Sequence, residues 1–112
     1  MALLSVFQVR YMCAVAALGD NARQERIANW LHARFGTIVD RETLEVVAEI
    51  LLENELIKIV GSEEKRTDNT TQNVFEVTED GIEAMRETLT FAKRQGKEKR
   101  ILGKLRRRKM LH

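Results

Sequence analysis

The side chains best placed to do chemistry in this chain are cations, and most of them lie at one end. Residues 97–112 hold eight basic side chains (Lys97, Lys99, Arg100, Lys104, Arg106, Arg107, Arg108 and Lys109) against Glu98, a balance of +7. The residues before them hold 11 basic and 16 acidic side chains, a balance of −5, so the overall +2 conceals an acidic body with a basic tail. Clustered Lys and Arg neutralise a polyanion and release its counterions, which points to nucleic acid or to an acidic protein. Smaller polar groups stand at Arg23, Gln24 and Arg26, at Arg41 and Thr43, and at Lys65 and Arg66.

Reactive side chains of other kinds are few. Two histidines, His32 and His112, and one cysteine supply neither a metal-ligand set nor a nucleophile with its base, and no glycine-rich phosphate loop precedes a helix. The carboxylates fall on outward helix faces at ordinary spacings, where they are solvated charges rather than an acid/base pair. The expectation is a protein that is not an enzyme and uses no cofactor or metal. Cys13, alone, can form no intrachain disulfide; it is expected as a small core residue in a reducing cytoplasm. The apolar opening up to Leu18 is interrupted by Arg10 and is too short to span a bilayer, so it reads as a buried helix and no membrane is expected.

These groups need elements to position them. The 112 residues suit one domain, with 44% hydrophobic and 32% charged residues and no proline. A first helix, apolar on nearly every side, ends at Gly19, and its second face is expected to meet another subunit. A second runs from Ala22 to about Arg34, capped by Asp20 or Asn21, with Ile27, Ala28, Leu31 and Phe35 inward. Arg23, Gln24 and Arg26 near its start either hold a phosphate or form a solvated face. The third covers residues 40–53: Asp40 caps it, Leu44, Val47, Ala48 and Leu51 form an apolar stripe, and Arg41, Glu42, Glu45, Glu49 and Glu53 share the outward arc. Leu56 to Val60 and Asn73 to Val77 are strands joined by a long polar loop carrying Lys65 and Arg66. Thr78 caps a last helix whose seam is Ile82, Met85, Leu89 and Ala92, widened by Phe91. Residues 1–95 thus form one domain with terminal helices, and residues 96–112 a basic C-terminal tail, either an amphipathic helix or a flexible arm.

The run Leu44-Glu45-Val46-Val47-Ala48-Glu49-Ile50-Leu51-Leu52-Glu53-Asn54-Glu55-Leu56-Ile57 resembles the helix-then-strand passage of winged helix-turn-helix regulators. Val74-Phe75-Glu76-Val77-Thr78-Glu79-Asp80-Gly81 is similar to the junction of wing and final helix in PadR-like and MarR-like proteins. The resemblance, by pattern, covers residues 11–89; it implies a mainly α winged helix-turn-helix with a small β-hairpin wing, and a homodimer built from the first and last helices that binds an operator. Two departures stand out: the glycine-tyrosine motif typical of PadR-like proteins is missing, and the outer side of the third helix is acidic. The expectation is a DNA-binding protein, a transcriptional regulator or an architectural or partition factor, contacting double-stranded DNA through Arg23, Gln24, Arg41, Thr43, Lys65, Arg66, Lys104, Arg106, Arg107, Arg108 and Lys109. The alternatives are a protein-interaction module docking a basic partner on the acidic helix, and RNA binding through the tail.

Overall fold

The computed structural model describes residues 3–64 and 71–94. The chain builds four helices and one antiparallel hairpin in the order α1 (Val6–Leu18), α2 (Gln24–Phe35), α3 (Arg41–Glu53), β1 (Ile57–Glu64), β2 (Thr71–Val77) and α4 (Glu79–Arg94).

α1, α3 and α4 start where a side chain satisfies an orphan amide, whereas α2 has no side-chain cap. Ser5 and Gln8 form a reciprocal capping box before α1, the Ser5 hydroxyl accepting from the Gln8 amide at 3.1 Å and the Gln8 side chain accepting from the Ser5 amide at 2.9 Å. Gly19, at φ +56°, ends that helix. Asp20 and Asn21 are not caps: they sit in a short 3-10 turn, Gly19–Asn21, and α2 begins two residues later than the spacing predicts, with Arg23 at the cap position. Asp40 caps α3 as expected, accepting from the Thr43 amide at 2.7 Å.

α1 is central. Tyr11, Met12, Ala14 and Val15 are buried against Ile27 and Leu31 of α2, Leu44, Ala48 and Leu51 of α3, and Ile57 and Phe75 of the hairpin. Its other side does not wait for a second subunit: Val9 is buried with Ala92 of α4, and Leu4, Cys13 and Leu89 pack around them. The Thr88 hydroxyl accepts from the Leu4 amide at 3.1 Å and donates to the Ala84 carbonyl at 2.8 Å, fastening α4 to the start of the chain.

The strands are longer than their hydrophobic signal. They pair from Ile57 opposite Val77 to Glu64 opposite Thr71, with a one-residue slip between Ile59 and Gly61. Val74 and Phe75 are both buried although neighbours on a strand face opposite ways, so β2 is covered on two sides. The Phe75 amide also donates to the Ala22 carbonyl at 2.9 Å, which ties the α1–α2 connection to the hairpin.

Thr78 locks the last junction. Its amide donates to the Leu56 carbonyl at 3.0 Å, its hydroxyl donates to the Glu55 carbonyl at 2.6 Å, and the same oxygen accepts from the Gly81 amide at 3.0 Å. Gly81 is there for lack of room: a Cβ would run into the Leu56 carbonyl oxygen and lie 2.9 Å from the Met12 methyl.

Candidate nucleic-acid interface

Gln24 organises the approach of α2 to α3. As the first residue of α2, it accepts from the Tyr11 hydroxyl at 2.7 Å and donates to the Leu44 carbonyl at 3.2 Å. One amide therefore joins three helices, and burial beside it pushes the Tyr11 phenol above its usual range. The expected role of Gln24 as a DNA contact gives way to this internal one, since its oxygen and its nitrogen both have partners inside the fold. The consequence is geometric: the first turns of α2 and α3 abut, with Arg23, half-buried, on one and Arg41 and Thr43, both exposed, on the other. Free amides at a helix start carry partial positive charge, which at α2 has no side-chain cap, whereas at α3 the Asp40 carboxylate already takes the Thr43 amide.

Further along α3 the field reverses. Arg41 Nε lies 3.2 Å from Glu45 Oε1, with both side chains largely solvated, so the cation at the head of the helix is already paired. Glu42, Glu49 and Glu53 are exposed on the same outward side. The Asp40 carboxyl is held below the usual carboxylate range by the hydroxyl and amide of Thr43 and stays ionised as the cap. The described residues as a whole hold nine Lys or Arg against fifteen Asp or Glu. Lys65, Arg66, Lys104, Arg106, Arg107, Arg108 and Lys109 lie outside the described residues, and they carry much of the basic charge in the sequence.

No family model, curated protein or solved structure matches this chain.

Two features escaped the sequence. One is a cluster between the middle of α1 and the end of α2, where the Arg10 guanidinium lies 4.3 Å from the Phe35 ring centre, Arg34 lies 5.4 Å from that of Trp30, and the two rings meet edge-on at 5.9 Å. Trp30 and Phe35 sit five apart, a spacing that gives no pattern, and Arg10 reaches them from another helix. The other is an open groove of about 840 Å³ between the end of α1, the hairpin and α4, with Val15, Val60, Val77, Ile82, Met85 and Leu89 in its walls. Among the described residues no helix is long and apolar enough to cross a membrane. Burial pushes the Cys13 thiol up, with Arg34 opposing the shift, so it stays protonated at neutral pH.

Proposed function

We propose that this chain is a cytoplasmic winged helix-turn-helix protein that binds double-stranded DNA as a homodimer and acts as a regulator or an architectural factor, without enzymatic activity. The observation that carries the reading is the pairing of helix starts made by Gln24. It joins the first turns of α2 and α3, and the two-stranded hairpin that follows them is compatible with a wing. Phosphates would be held at these two starts by Arg23, Arg41 and Thr43 and along the duplex by the basic residues 97–109, with Lys65 and Arg66 on the wing loop. The acidic flank of α3 opposes a lengthwise fit in a groove. End-on approach keeps Glu49 and Glu53, about two and three turns further along, away from phosphate.

The dimer surface in this reading is the outer edge of α4. Ile82 and Phe91 are exposed, and Met85 and Leu89 are half-buried at the 840 Å³ groove. Arg86 and Lys93 line one wall, Asp20 and Glu76 the opposite side, a distribution that a two-fold axis would make complementary.

The test is a gel shift on duplex DNA, single-stranded DNA and RNA at two salt concentrations. Preferential, salt-sensitive duplex binding is expected; preference for RNA, or no binding to any of the three, would sink the reading. A second reading has one observation in its favour. Pairing of Arg41 with Glu45 leaves α3 a net acidic outer face suited to a basic protein partner. Glu45→Gln with Glu49→Gln separates the two: DNA binding tightens if α3 lies at the duplex, whereas a basic partner is lost if α3 docks protein.

A further inference from the structure

A second groove, of about 410 Å³, runs between the end of α3, the residues leading into α1 and the first half of α4. Its floor is apolar, with Leu4, Ile50 and Leu56 among its residues, and Ile50 remains 39% exposed. Its rim is acidic: Asp80, Glu83 and Glu87 stand at spacings of three and four along α4, on one side of the helix, and among the described residues no Lys or Arg lines the groove. Glu83 has Arg86 at 3.1 Å, but both side chains are more than half exposed and such a pair exchanges readily. An apolar floor with an acidic rim fits a segment bearing apolar and cationic side chains together.

The chain supplies such a segment. Ile101, Leu102 and Leu105 are interspersed with Lys99, Arg100, Lys104 and Arg106. It starts from the end of the very helix whose side forms the rim: Asp80 lies fourteen residues before Arg94, about 21 Å back along α4. Residues 95–102 reach about 26 Å when extended, so Leu102 can return to the far end of the groove.

We infer that residues 97–109 of the same chain dock in this groove, apolar side chains on Leu4, Ile50 and Leu56 and cations on Asp80, Glu83 and Glu87. The docking itself is independent of any nucleic acid. Its consequence for binding, which rests on the duplex reading, is that the cations are withheld from phosphate until a duplex outcompetes the rim, which weakens attachment to isolated or weakly charged anions.

Limited trypsin digestion of the full-length protein at low salt, without nucleic acid, tests this by following cleavage after the basic residues 97–109 by mass spectrometry. In a D80N/E83Q/E87Q variant that cleavage is expected to rise roughly tenfold, from the loss of three partly exposed charge pairs. Ile101→Ser, Leu102→Ser and Leu105→Ser together, which leave the described fold untouched, are expected to raise it similarly. An E42Q/E45Q/E49Q control, with the same change of net charge on the outer side of α3, is expected to leave it within about twofold. Unchanged cleavage in the rim variant, an equal rise in the control, or protection that grows with protein concentration and so comes from a second copy, would each overturn the inference. Because no DNA is present, such failure leaves the duplex reading standing, and failure to bind a duplex leaves this one standing.

Discussion

α3 and α4 are both amphipathic helices of ordinary length, yet they spend their apolar sides differently. α3 buries Leu44, Ala48 and Leu51 within its own chain. α4 buries Gly81, Thr88 and Ala92, three small residues, and leaves Ile82 and Phe91 exposed. Gly81 lets the start of α4 sit against the Leu56 carbonyl and Ala92 meets Val9 of α1, while Ile82, Met85 and Leu89 line the 840 Å³ groove. The same periodicity therefore marks a core element in one helix and a partly exposed apolar edge in the other. α3 holds the fold through its inner side, while α4 has apolar area still to cover.

That contrast can be broken in graded steps. Leu51→Ala empties a fully buried site at the centre of the core and is expected to cost about 2–5 kcal/mol by chemical denaturation; a loss below about 1 kcal/mol would mean α3 is not the core element described. Gly81→Ala forces the α4 start off the Leu56 carbonyl and is expected to cost about 1–3 kcal/mol, with faster amide exchange at Thr78 and Leu56. Asp40→Ala removes the α3 cap and is expected to lower the denaturation midpoint at pH 7, by less than either core change. The sign of its pH dependence follows from the lowered Asp40 pKa: the native protein keeps this stabilisation above the unfolded carboxyl range and loses it as pH falls through the folded value, so the gap between the two proteins closes in acid. Ile82→Ser with Phe91→Ser, both exposed, should change monomer stability least and association most. Sedimentation is expected to show a dimer for the unmodified chain and a monomer for the variant, and a stable monomer in both would remove α4 as a dimer surface.

The sequence made α3 legible almost to the residue, because cap, apolar stripe and strand onset all agree over residues 40–57. Thr78 and Gly19 were legible for the same reason, each being a residue type with one local use. The hairpin extends beyond its sequence signal: residues 61–64 and 71–72 also pair, a polar ribbon whose side chains give no alternation to detect. The start of α2 was misplaced because Asp20 and Asn21 are good caps in isolation, and a 3-10 turn that buries Ala22 took precedence. α1 was credited with a partner subunit since its apolar girth cannot say which element covers it; α4, some eighty residues away, does so through Ala92. Gln24 was the instructive miss. Its hydrogen-bond partners lie 13 and 20 residues away, and a polar residue at a helix start looks equally suited to phosphate and to an internal bridge.

The claim that duplex affinity comes mainly from the basic end of an otherwise acidic protein is tested most directly by the salt dependence of binding. Duplex affinity should be measured from low to physiological salt for the intact chain and for one with Lys104, Arg106, Arg107, Arg108 and Lys109 all changed to Gln. The account predicts a steep fall in log affinity with log salt for the intact chain, and a slope shallower by up to about 4.5 in the variant, with much weaker binding at every salt concentration. Equal affinity and equal slope in the two proteins would contradict it.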